Sequence, residues 1–193
     1  MDDQQALREA IGFERAAQQS LLRGDAARSR TQFRAAAERY RVSWEKTGPP
    51  TSRAYGRLIG LLKASVLWGE GGHAAGYVRS QLGDRCDSPP ACYAFALAAL
   101  VQGDDEGALS AIEGMRATED EAFARTADAL HALAHGDPDA YKTAVTAIVA
   151  DFAARDDHLT GVAFADTAVM LERLAAPRGM AVRPASAVMP VLG

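Results

Sequence analysis

Asp128, His131 and His135 are the residues whose types and spacing come nearest to a metal site. On a helix they fall within a sector of about 60°. Two histidines one turn apart, with a carboxylate a turn earlier, can direct three ligand atoms at one point, a donor set suited to zinc or nickel. The residues between the histidines are Ala132-Leu133-Ala134, so the glutamate of a His-Glu-x-x-His protease is missing. His135 also stands near a helix end, where the partial negative charge favours an imidazolium without any metal. The expectation is a structural or surface role, with no metal and no cofactor.

Asp166 stands out because apolar residues surround it: Val162, Ala163, Phe164, Val169, Met170, Leu171 and Leu174 cover most directions of the helix expected there. A helix with so few charges is buried, and its carboxylate then needs a partner. Arg173 lies two turns on and Arg125 is available from a neighbouring helix. The pair is either a structural ion pair or the polar lining of a pocket.

A basic run, Arg23, Arg28, Arg30, Arg34, Arg39 and Arg41, crosses the end of the first helix and the whole of the second. Arg30, Arg34 and Arg41 share one face, partly offset by Glu38 and Glu45, which describes a solvated helix surface or one that meets an anionic partner. Nucleic acid is not expected, because no aromatic side chains interleave with the basic ones. Phe13, Phe33, Tyr40 and Trp44 recur instead at the helical spacing of core residues. Signatures of catalysis are absent: there is no phosphate-binding loop, no Gly-x-Ser-x-Gly elbow and no compact pairing of nucleophile and base. Cys86 and Cys92, separated by five residues, match neither a zinc knuckle nor a redox Cys-x-x-Cys. They are expected as unlinked thiols, with a local disulfide as the alternative.

The elements that must position these residues are set by a recurring dipeptide. Glycine followed by an acid ends an apolar run at Gly24-Asp25, Gly69-Glu70, Gly103-Asp104 and Gly136-Asp137, at intervals of 45, 34 and 33 residues. Glycine relieves the left-handed conformation after a last helical turn, and the acid can cap the next helix. Helices are expected from about 4 to 22, 26 to 46, 51 to 68, 73 to 82, 89 to 102, 106 to 116, 122 to 135, 138 to 155 and 159 to 176. Thr51 or Ser52, Ser88 and Thr118 serve as N-caps. An extended tail, 179–193, follows.

The 34-residue interval and the small residues around each turn resemble tetratricopeptide repeats over 4–155. Seven before the turn glycine stand Ala17, Leu62, Ala96 and Ala129; five after it stand Ser29, Ala74, Ala108 and Tyr141. Leu62 and Tyr141 depart from the small-residue pattern, and the first interval carries an insertion with Gly48-Pro49-Pro50. The C-terminal third, including 123–134, 141–155, 159–168, Arg178-Gly179-Met180, Ser186 and Pro190, resembles uncharacterised actinobacterial helical proteins. More distantly it is similar to the immunity proteins that neutralise polymorphic toxins, which implies a helical repeat without catalysis.

Composition agrees with one helical domain spanning 1–193. The chain is 48% apolar and only 7% aromatic, enough to bury a core of helices rather than strands. Residues 1–100 carry 14 Lys/Arg against 10 Asp/Glu, and 101–193 carry 7 against 15, so a stack would be dipolar along its length. The acidic N-terminus lacks a secretory pattern and no apolar run approaches membrane-spanning length, so a cytoplasmic protein is expected.

The expected fold is all-α: antiparallel hairpins stacked as a short, right-handed tetratricopeptide-like solenoid, closed by a capping helix at about 159–176. The expected function is non-catalytic binding of a protein or peptide partner, as a scaffold or an immunity-type protein, with no nucleic acid and no membrane. Arg30, Arg34, Arg125, Asp128, His131 and Asp166 are the candidate contacts. The alternative is a small-molecule-binding or enzymatic helical domain with a pocket around Arg125, Asp128, His131 and Asp166, marked by a cavity of about 300 Å³ or more.

Overall fold

The computed structural model describes residues 2–116 and 120–190. Among them are nine α-helices: α1 (Asp3–Leu22), α2 (Ala26–Glu45), α3 (Gly56–Trp68), α4 (Gly71–Leu82), α5 (Pro89–Gln102), α6 (Asp105–Arg116), α7 (Glu121–His135), α8 (Pro138–Ala154) and α9 (Asp166–Ala175). Short 3₁₀ segments precede α3 (Ser52–Tyr55) and follow α9 (Ala176–Arg178). The described residues contain no strand, and no helix among them is long and apolar enough to cross a membrane.

The Gly-acid turns form as their chemistry requires. All four glycines take positive φ, from 66° at Gly136 to 105° at Gly69. Asp25, Asp104 and Asp137 then accept backbone N–H groups of the following helix, whereas Glu70 makes no capping bond. Asp120 caps α7 through the N–H groups of Ala122 and Phe123, while Thr118, the residue expected to do so, lies outside the described residues. Thr51 and Ser88 precede their helices without a side-chain cap. Pro89 occupies the first turn of α5, where its missing N–H is harmless.

Each helix packs on the next, from α1 on α2 through α8 on α9. The odd-numbered helices also meet one another, α3 with α5, α5 with α7 and α7 with α9. All eight positions counted from the turn glycines are buried, Leu62 and Tyr141 included. The helices therefore approach through alanine at most crossings and through one large side chain at two. Phe33, Tyr40 and Trp44 enter the core, but Phe13 is 38% exposed and does not.

The C-terminal third differs from the expectation in one respect that governs the site. No helix starts at 159; residues 155–165 are irregular, and α9 begins only at Asp166. Gly161 takes φ +70°, which breaks a helix, and the segment is held by tertiary bonds in place of helical ones. Arg15 donates to the Thr160 carbonyl and the Thr160 hydroxyl donates to Gln18, so the loop reaches back to α1. Beyond it, α9 contacts α3 as well as α7 and α8. Arg178 fastens the chain after α9 by donating to the carbonyls of Leu100 and Leu133, near the C-terminal ends of α5 and α7, and to the Asp105 carboxylate at the start of α6.

Cys86 and Cys92 are joined in a disulfide, contrary to the expected free thiols. The irregular segment 85–88 leads into α5 so that the Cα atoms of Cys86 and Cys92 are 4.5 Å apart, within bridging range. The sulfurs lie where a side chain at Gly114 would be, since a Cβ there would come within 2.5 Å of the Cys92 sulfur.

Candidate functional site

Six helices and the 155–165 loop line a cavity of about 250 Å³. Its polar floor is built from residues far apart in sequence: Glu14 and Gln18 of α1, Lys63 of α3, Tyr93 of α5, and Asp166 and Thr167 at the start of α9. Phe123 and Thr126 of α7, Ile148 and Phe152 of α8, and Val162 and Phe164 of the loop form largely apolar walls. Arg125, Asp151, Arg155 and His158 complete the lining.

Glu14 reaches the floor because α1 buries the stripe Ala6, Ala10, Glu14, Ala17. Its carboxylate accepts the Tyr40 hydroxyl at 2.5 Å and the Gln18 amide at 3.4 Å. Only 6% of Glu14 is exposed. Burial, and then the neighbouring charge of Asp166, push its carboxyl up to about 7, against the opposing pull of Lys63 and Tyr40. Tyr40 is held over Gly60, where any Cβ would come within 2.7 Å of the phenol ring. The Tyr40 hydroxyl is itself raised well above its ordinary value, by burial first and then by Glu14.

Lys63 is the single charge within the apolar run Leu58–Trp68. It pairs with Asp166 and donates to the Thr167 hydroxyl at 3.0 Å. Burial lowers the Lys63 pKa, but Asp166, Tyr93 and Glu14 together outweigh it and the net shift is upward. The Tyr93 hydroxyl is buried with no hydrogen-bond partner among the described residues, although the Thr167 hydroxyl is near enough to lower its pKa. Burial raises the Tyr93 pKa, and Lys63 offsets part of that effect.

Arg125 bridges Asp151 at 2.8 Å and Glu121 at 3.0 Å. Asp151 also pairs with Arg155, whose guanidinium covers the Phe152 ring at 4.0 Å. His158 stacks on the same ring, 6.2 Å between centroids. The site therefore has a charged, largely buried floor, aromatic walls and a cluster of ion-paired side chains.

The structure brings two of the candidate residues together here, Arg125 and Asp166. It separates them from Asp128 and His131. The expected partners of Asp166, Arg173 and Arg125, give way to Lys63, because α9 starts late and presents Asp166 at its first turn to α3. Asp128 pairs with Arg116 at 2.9 Å, and His131 lies against His135 with ring centroids 4.3 Å apart. Burial, then Arg116 and His135, lower the His131 pKa. No group of three or more His, Cys, Asp and Glu among the described residues is arranged to hold a metal ion.

Arg30 donates to the Trp68 carbonyl at the end of α3. Arg34 pairs with Glu38 and covers the Trp68 ring at 5.6 Å, in a groove of about 270 Å³ that Arg41 and Tyr77 also line. These contacts place the basic run on a surface already matched to carboxylates and rings.

Glu14, Lys63 and Tyr93 are absent from the sequence-derived candidates. A signal existed for two of them: a lone lysine in an apolar helix and a glutamate on an alanine stripe both promise buried charge. No family model, curated protein or solved structure matches this chain.

Proposed function

We propose that the protein is a non-catalytic, small-molecule-binding helical domain whose site is the cavity floored by Glu14, Lys63, Tyr93 and Asp166. One observation carries the reading: charged side chains that are largely buried line a cavity of about 250 Å³ instead of being packed over. Burying charge is costly, and a purely structural network is normally closed by its own partners. A polar floor beneath aromatic walls is the usual make-up of a small-ligand site, though the volume is slightly below the usual range.

In this proposal the hairpins form a right-handed tetratricopeptide-like array in which the odd helices line the concave side. Pairwise contact between alternate helices supports that arrangement. Docking of a protein or peptide takes second place, because α9 lies against α3 and α7, two of the helices that would receive the partner.

The test is an amide NMR titration with 2-phenylethanol, a neutral probe small enough for the cavity. Saturable shifts concentrated at Thr126, Phe152, Phe164 and Thr167 are expected. Shifts scattered over the surface would reject the pocket, as would the absence of shifts with this probe and with 2-phenylethylamine and 3-phenylpropanoate alike.

A further inference from the structure

Charges on the cavity floor do not balance. Glu14 and Asp166 are two carboxylates with Lys63 between them, and Lys63 is committed to Asp166 and Thr167. Glu14 is left with one short bond from Tyr40 and one long bond from Gln18, although an ionised carboxylate has room for about four donors. The Tyr93 hydroxyl is a second unmatched group in the same lining: the residue is 7% exposed, and its buried oxygen has no hydrogen-bond partner among the described residues. Buried hydroxyls are rarely left in that state unless another molecule completes them.

We infer that this floor receives the ammonium group of a small organic monocation, with Glu14 as its counter-ion, the Tyr93 hydroxyl as an acceptor, and Phe123 and Phe164 against its apolar body. The inference rests on the small-molecule reading above and specifies its ligand class. An ammonium brings three N–H donors and one positive charge, which meets the spare acceptors of Glu14 and Tyr93 and neutralises the excess carboxylate. A carboxylate ligand would add a third negative charge beside Glu14 and Asp166. A neutral alcohol would complete a hydrogen bond and leave the charge imbalance in place. Aromatic faces attract cations, so the walls favour the same sign.

Arg125 and Arg155 do not reverse this argument, because Asp151 and Glu121 together supply one carboxylate for each guanidinium. Arg15 faces away from Glu14, toward the Thr160 carbonyl. With the Glu14 carboxyl lifted to about 7, arrival of a cation drives it into the ionised form, and binding at pH 7 releases protons.

The experiment compares three probes of similar shape, 2-phenylethylamine, 2-phenylethanol and 3-phenylpropanoate, by calorimetric titration at pH 7 in two buffers of different ionisation enthalpy. The amine is expected to bind at least tenfold more tightly than the alcohol, with proton release, and the carboxylate more weakly than either. Glu14→Gln should reduce the amine-to-alcohol ratio to below threefold. Tyr93→Phe should weaken amine binding severalfold while leaving the melting temperature equal or higher, since it deletes an unsatisfied buried hydroxyl. Alcohol binding equal to amine binding, or a preference for the carboxylate, would overturn the cation assignment and leave the pocket standing. Failure of all three probes to bind would overturn both.

Discussion

Glu14 and Glu172 are buried to almost the same extent, 6% and 3% exposed, yet they do opposite things. Glu172 is closed off: its carboxylate accepts the Tyr141 hydroxyl at 2.8 Å and the backbone N–H groups of Val182 and Arg183 at 2.9 and 2.6 Å. Those three bonds tie α9 to α8 and to the chain after it, and they hold Arg183 at φ +52°, a conformation that a non-glycine residue seldom adopts. Burial, with Glu172 as hydrogen-bond partner, raises the Tyr141 pKa far above its usual range, so the phenol stays a donor. Glu14 has one short bond from Tyr40 and one long bond from Gln18, a second carboxylate for a neighbour and a cavity beside it. A carboxylate surrounded by donors is a fastening. One left short of donors beside a cavity is the arrangement on which the proposed ligand site rests.

Removing the fastening is expected to have the largest effect. Glu172→Ala leaves a buried phenol and two backbone N–H groups unpaired, and should cost about 3–5 kcal/mol, measured by urea denaturation. A loss below about 1 kcal/mol would erase the contrast between the two glutamates.

The pH dependence of stability addresses Glu14. Tyr40, Lys63 and Asp166 are the titratable groups facing it, from α2, α3 and α9. Because its folded value of about 7 lies above the ordinary 4.5, the native state holds a proton that the unfolded chain has lost between those values. Stability from this group is full below pH 4.5 and falls as pH rises through 7, by up to about 3 kcal/mol. Glu14→Gln should flatten that slope between pH 5 and 7.5. Parallel curves for the two proteins would mean that Glu14 is as fully satisfied as Glu172.

A smaller effect is expected at Gly60. The Cβ of Gly60→Ala would meet the Tyr40 ring at 2.7 Å and push the phenol off Glu14, costing about 1–3 kcal/mol in thermal unfolding. It should also raise the midpoint of the Glu14 titration, because a bond that favours the carboxylate is lost. Stability like that of the parent would show that Tyr40 has room to move. The smallest change is expected from Asp128→Ala: its pair with Arg116 is exposed, and the loss should stay within about 0.5 kcal/mol. A greater loss would promote the Asp128 and His131 region above a surface role.

Much of the helical framework is legible in the chain. The four Gly-acid dipeptides mark helix ends because left-handed φ and N-capping are local requirements, satisfied within a few residues of the turn. Apolar spacing likewise anticipates α3 and α5, whose residues are largely buried. The pattern misleads at 159–165, where the apolar residues look helical but an irregular loop that docks on α1 buries Val162, Phe164 and Ala165 and leaves Leu159 exposed. Periodicity reports which residues avoid water, not the backbone that hides them. The spacing of Cys86 and Cys92 similarly says nothing about the entry into α5 that brings them together.

The sequence by itself determined that this is an all-α chain, where most of its helices begin and end, and that Asp166, among apolar residues, needs a partner. Tertiary structure alone decided which charge: Lys63, 103 positions away, and not Arg125 or Arg173. It also decided that Glu14, Lys63, Tyr93 and Asp166 share one cavity and that Asp128 and His131 stand outside it. The reason is physical. Helix propensity and capping act over one or two turns, whereas a pocket is assembled from helices whose contacts are fixed only when the whole core packs.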